Sequence, residues 1–206
     1  LKAKINFDQA NHILKADVSL PQLTYGENLV DSLKINVNSD GKKADFTASF
    51  AGIEAGPAHI PKTEINANFK DEKFYLNFES FQNQEKLYAI HSVLSGKNKE
   101  REFKILPKEL ILNKEKWTID KNNAVRFGNK NLEFDNFILS HQNQEVRIQN
   151  ISENKTNNWG LDFKNFKLSS LLAYLNPHDF LLDGNLGGAI VFIDPFGKLG
   201  FTAALT

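Results

Sequence analysis

The sequence predicts an all-β fold of bent antiparallel sheet. Three observations carry that expectation: apolar residues recur at every second position in short runs, turn residues separate the runs, and one stretch near 169–175 departs from the period of two. Side chains of a strand alternate between its two faces, so each run gains one apolar and one polar side.

Leu1, Ala3, Ile5 and Phe7 open the pattern, and Leu14, Ala16, Val18 and Leu20 continue it. Leu33, Ile35 and Val37 come next, then Ala44, Phe46, Ala48 and Phe50, then Ile65, Ala67 and Phe69, then Phe74, Leu76 and Phe78. Asp40-Gly41, Gly52, Gly56-Pro57, Asp71-Glu72 and Gly128-Asn129 punctuate these runs and predict hairpins. Asn is abundant throughout, tolerates left-handed backbone, and with Lys keeps exposed strand faces wet.

The stretch 96–104 is the most polar and reads as a linker between sub-blocks 1–95 and 105–206 of a single 1–206 segment. Beyond it the alternation resumes through Leu110, Leu112, Trp117, Ile119, Val125, Phe127, Leu132 and Phe134. The parity slips by one residue between Phe134 and Phe137 and again between Phe163 and Phe166, which predicts a bulge or tight bend at each place. Ser169 to Leu175 forms a short helix in this reading, capped by Ser169 or Ser170 and stopped by Pro177. The strand that follows is studded with Gly184, Gly187 and Gly188, where a backbone bends or another packs close.

Composition narrows the function classes. With 25 basic and 25 acidic residues and a pI near 7.2, the chain lacks the electrostatic footprint of a nucleic-acid binder. It has no Cys, which removes thiolate catalysis and disulfides. It has no Met and begins at Leu1, which reads as part of a longer translated product. No apolar run approaches the roughly 20 residues that span a bilayer.

No catalytic constellation stands out. The histidines, His12, His59, His91, His141 and His178, show no short spacing that would pair two ligands on one face, so a metal site would need distant pieces to converge. Asp71, Glu72, Glu100 and Glu102 lie in turn-like polar stretches and read as solvated charges. Gly184-Asn185-Leu186-Gly187-Gly188 precedes a strand pattern and no Lys-Ser/Thr, unlike a phosphate-binding loop. No cofactor, metal or enzymatic activity is expected. The apolar faces either fill a sandwich or barrel core, or line an open groove that accepts acyl chains; the alternation alone favours the core. Seventeen Phe against four Tyr favours a surface that stays dry.

A more specific signal lies beyond residue 105. Trp117-Thr118-Ile119-Asp120, Ala124-Val125-Arg126-Phe127-Gly128, Leu132-Glu133-Phe134-Asp135-Asn136-Phe137-Ile138-Leu139 and Gln144-Glu145-Val146-Arg147-Ile148 follow in order. Leu161-Asp162-Phe163-Lys164-Asn165-Phe166-Lys167-Leu168, the short helix and Leu182-Asp183-Gly184-Asn185-Leu186-Gly187-Gly188 complete the series. This series resembles the TamB translocation and assembly module subunits of Bacteroidetes-type bacteria, within the wider AsmA-like group. The first hundred residues share only the strand rhythm.

The resemblance implies an elongated, bent antiparallel sheet forming an open apolar groove, a β-taco. It implies a periplasmic location in a Gram-negative bacterium, with the parent anchored in the inner membrane and paired with an Omp85-type outer-membrane barrel. Phospholipid is the implied partner, carried between membranes in support of outer-membrane assembly. Strand parity selects Phe127, Leu132, Phe134, Leu161, Phe163, Leu186, Ile190 and Phe192 as groove candidates. Asp or Arg at Phe134 or Phe163 is expected to abolish lipid occupancy and leave the sheet intact. The competing reading is a β-sandwich structural or binding module of a bacterial surface protein.

Overall fold

The computed structural model describes residues 1–97, 99–128, 131–153, 156–172 and 184–206. Among them the chain forms β1 (Lys2–Asp8), β2 (Ile13–Tyr25), β3 (Asn28–Ser39), β4 (Ala44–Phe50), β5 (Gly52–Ala55), β6 (Ala58–Ile60) and β7 (Thr63–Lys70). There follow β8 (Lys73–Gln82), β9 (Glu85–Lys97), β10 (Glu100–Ile105), β11 (Ile111–Leu112), β12 (Glu115–Lys116), β13 (Thr118–Ile119) and β14 (Ala124–Gly128). β15 (Asn131–Asp135), β16 (Phe137–His141), β17 (Gln144–Glu153), β18 (Thr156–Lys167), α1 (Ser169–Leu172), β19 (Asn185–Ile193) and β20 (Gly200–Leu205) complete the order.

The fold is all-β, with two antiparallel sheets that do not close into a barrel. The first runs β1-β2-β3-β4-β7-β8-β9-β10-β14-β15, with β5-β6 and β11-β12 attached beside it. The second runs β13-β16-β17-β18-β19-β20.

Register follows from the alternation. Residues directly opposed in an antiparallel ladder share a face, so a strand slipped by one residue would turn its apolar side to the other face of the sheet. One row crosses the first sheet as Ile5, Ala16, Val37, Phe46, Ala67, Leu76, Ser92 and Ile105. A second passes through Phe74, Leu94, Phe103, Val125 and Phe134. In the second sheet a row runs Phe137, Ile148, Leu161, Ile190 and Ala203.

The turns obey local backbone chemistry. Asp71 and Glu72 take φ of 53° and 60° between the paired Lys70 and Lys73, a two-residue hairpin with both central residues left-handed. Asn83-Gln84 and Asn113-Lys114 do the same without glycine. Asp40 Oδ1 accepts the backbone N–H groups of Lys42 and Lys43 at 3.0 and 2.8 Å, closing the β3–β4 turn.

The polar stretch 96–104, read as a linker, belongs instead to the β9–β10 hairpin inside the first sheet; Asn98 lies outside the described residues. Glu102 and Lys104 alternate with Phe103 and Ile105 and lie on the wet side of the strand, whereas Arg101 shares the face of Phe103 and stands opposite Phe127. The chain enters the second sheet at β13, returns to the first for β14 and β15, and crosses again at Asn136, whose φ of 46° makes the bend expected between Phe134 and Phe137. The second parity slip is a register shift between Phe163 and Phe166, with Asn165 at φ 47°. Gly188, at φ 98°, lies opposite that irregularity, and a Cβ there would collide with the Ala204 carbonyl. The expected helix is seen as α1; residues 173–175 and Pro177 lie outside the described set.

The core lies where the sheets meet. Leu87, Tyr88, Leu110, Leu112, Trp117, Ile119, Phe137, Val146 and Phe166 form the buried cluster. Tyr88 donates its hydroxyl to the Ser170 carbonyl at 3.2 Å, tying α1 to β9.

Two asparagines join separate backbones there. Asn123, fully buried, accepts from the Ile105 N–H at 2.9 Å and donates to the Ile105 carbonyl at 2.7 Å. Asn150 treats Phe134 in the same way, at 3.1 and 2.9 Å, and so fastens the edge of the first sheet to β17. Replacing Asn123 by Leu strands both Ile105 groups and should cost about 1–3 kcal/mol for each one left unpaired. Urea unfolding should show a lower midpoint at unchanged slope.

Candidate functional site

The apolar face is the candidate surface, and its exposure changes along the molecule. At one end Ile5 and Phe7 are 66% and 64% exposed; at the other Phe201 is 70% exposed. Between them Leu87, Trp117 and Phe166 are buried at 3% exposure or less. The gradient also runs along the strands of the first sheet, where Tyr88 and Thr63 are buried but Phe69, Phe74 and Phe127 stay exposed near the opposite hairpins.

Two concavities accompany this face. One of about 130 Å³ is lined only by apolar side chains, Leu112, Trp117, Leu139, Val146, Leu161, Phe163 and Phe166. A second, about 380 Å³, lies over Phe69, Phe74 and Leu94 with Glu72 and Arg101 at its margin. Another, about 570 Å³, includes Lys2, Lys4, Asp17 and Lys34 on the polar side of β1–β4, away from the apolar rows.

All eight groove candidates lie on the apolar rows. Phe127 pairs with Leu132, and Phe134 with Val125. Leu161 pairs with Ile190, Trp159 with Phe192, and Phe166 with Leu186. Phe134 reaches across to Trp159, centroids 5.7 Å apart, and Trp159 stacks on Phe192 at 4.0 Å and 16°. One aromatic run therefore links the two sheets.

The candidates split into two groups. Phe134, Leu161, Phe163 and Leu186 pack against the buried cluster, whereas Phe127 is 39% exposed. A charge at Phe134 or Phe163 would enter packed apolar surroundings and weaken side-chain packing even with the sheet hydrogen bonding kept, so lipid loss there is not separable from loss of stability. Phe74 and Phe127 are the positions where occupancy and folding can be separated. Trp117, part of the alternation, and Phe137 and Phe166, each beside a parity slip, were not among the groove candidates, yet all three lie in the buried cluster.

A polar constellation escaped the spacing analysis altogether. Glu79 of β8, His91 of β9 and Glu109, before β11, converge with their ligand atoms within 4.8 Å of one another. Lys86 donates to Glu79 Oε1 at 2.8 Å and to Glu109 Oε1 at 2.9 Å. His91 Nε2 stands 3.6 Å from Glu109 Oε2 and 3.8 Å from Glu79 Oε1. The hydrogen bond from Lys86 holds the Glu109 carboxyl below its ordinary range, and the bonds to Glu109 and Glu79 raise the Lys86 ammonium above its own. These positions are 12 and 18 residues apart, so only the strand pairing brings them together.

No family model, no curated protein and no solved structure matches this chain. No helix among the described residues is long and apolar enough to cross a membrane.

The Glu109–Lys86 bond sets a pH dependence. A carboxyl whose folded pKa is depressed stabilises the fold above its unfolded value, near 4.5, and loses that contribution as pH falls through the folded value. Wild type should therefore melt above Glu109→Gln at pH 7, and the gap should close as the solution is acidified through that range, read by calorimetry.

Proposed function

We propose that this chain is a segment of an envelope protein of the TamB and AsmA-like kind, and that its apolar face shields phospholipid acyl chains in transit between the inner and outer membranes. On this reading it works in the periplasm of a Gram-negative bacterium, as part of a parent anchored in the inner membrane and joined to an Omp85-type barrel. Its contribution to outer-membrane assembly is to supply a dry surface, with no catalysis.

The observation that carries the reading is the apolar face that register maintains through both sheets and that stays uncovered at Ile5, Phe7, Phe74, Phe127 and Phe201. Exposed apolar area of this kind is unfavourable in water and marks an interaction surface. At about 25 cal/mol per Å² an acyl chain laid on it gains on the order of several kcal/mol. Arg101 shares that face opposite Phe127 and, with Glu72, borders the concavity over Phe69, Phe74 and Leu94, so charged groups stand at the margin of an otherwise apolar surface.

The second reading, a β-sandwich structural or binding module, is favoured by the cluster around Leu87, Trp117 and Phe166, where the two sheets cover each other. Lipid occupancy separates the two. A photoreactive phenylalanine analogue at Phe74 or Phe127 should crosslink phospholipid when the purified chain meets phospholipid vesicles, and Phe127→Asp should lower co-purified phospholipid with a shift in stability below about 1 kcal/mol. A chain that purifies without phospholipid and crosslinks none from either position would leave the sandwich reading standing.

A further inference from the structure

We propose that Glu79, His91 and Glu109 form a binding site for a divalent first-row metal ion of the zinc class. The site is on the polar side of the first sheet, so it stands apart from the reading of the apolar face.

His91 is held in place first. Its Nδ1 lies 2.8 Å from Asn77 Oδ1, and an amide oxygen only accepts, so Nδ1 donates there and Nε2 is the nitrogen turned to the carboxylates, presenting its lone pair whenever the ring is neutral. That nitrogen is buried without a hydrogen-bond partner, and it points at two carboxylate oxygens. In the neutral ring, lone pairs facing one another at 3.6 and 3.8 Å gain nothing, and either a proton on Nε2 or a metal cation between the three groups supplies the missing attraction. Fixing one imidazole nitrogen through a second group, so that the other points to the ion, is the usual way a metal-binding histidine is oriented.

Geometry suits a small ion. Tetrahedral zinc with bonds of about 2.0–2.2 Å places its ligands roughly 3.3–3.6 Å apart, close to the two separations from His91. One imidazole nitrogen with two carboxylate oxygens fits zinc and its neighbours better than calcium or magnesium, which prefer oxygen alone.

Lys86 is the competitor. It bonds Glu109 through Oε1, while Oε2 faces His91, so Glu109 can serve both cations. Only Glu79 Oε1 is contested, and the Lys86 side chain, 28% exposed, has room to swing toward water. The ammonium thus holds the carboxylates in place until the ion arrives.

Calorimetric titration of the full chelator-treated chain with zinc chloride at neutral pH tests this. Saturable binding of one equivalent is expected, weakened about tenfold or more in His91→Gln and 10–100-fold in Asn77→Leu, and tightened in Lys86→Met. Should His91→Gln fail to fold, Glu109→Gln, at a side chain 41% exposed, must show the same loss. Absence of saturable binding, binding indifferent to His91→Gln and Glu109→Gln, or a Lys86→Met chain that gains no zinc affinity would each overturn the site and leave an ion-pair cluster only.

Discussion

Cross-strand register is the constraint on which the rest of this structure depends. Most long ladders set apolar residues against apolar or small ones, from Phe7 opposite Leu14 to Phe192 opposite Phe201, although Phe127 faces Arg101. Because side chains alternate with a period of two, every strand is locked by its neighbours, and a single slip would bring charged residues onto the dry side. The polar face follows as a by-product: Arg126 meets Glu102 and Asp135 there, and Lys86 meets Glu79.

A sheet this wide must bend or break without leaving backbone unpaired, and asparagine does much of that work. Asn136 and Asn165 adopt left-handed backbone where the chain turns or bulges. Asn123 and Asn150 use the amide side chain as a one-residue strand, filling both hydrogen-bonding groups of Ile105 and Phe134. Gln144 and Asn158 accept from the Lys167 and Asp194 N–H groups within the second sheet. The two sheets are joined by the Asn150 amide on Phe134 as well as by the aromatic packing of Phe134, Trp159 and Phe192.

Much of this was legible in the alternation: the strands, the hairpin at Asp71-Glu72 and both parity slips. The hairpins at Asn83-Gln84 and Asn113-Lys114 were not singled out, although like Asp71-Glu72 they set two left-handed residues without glycine between paired strands. The 96–104 stretch misled because strong polarity resembles a linker when the alternating Phe103 and Ile105 are overlooked. Least legible were contacts made across elements. Trp117 with Phe166, or Glu79 with His91 and Glu109, depend on which strands become neighbours, and that information is absent from local spacing.

The central claim is one apolar face, self-covered in the middle and bare toward both ends. Hydroxyl-radical footprinting of the full chain, resolved by residue, measures this directly. The account predicts heavy modification of Phe7, Phe74, Phe127 and Phe201, with Trp117, Phe137 and Phe166 protected. Uniform protection along the whole row would contradict it, because it would mean that a second layer seals the face from end to end.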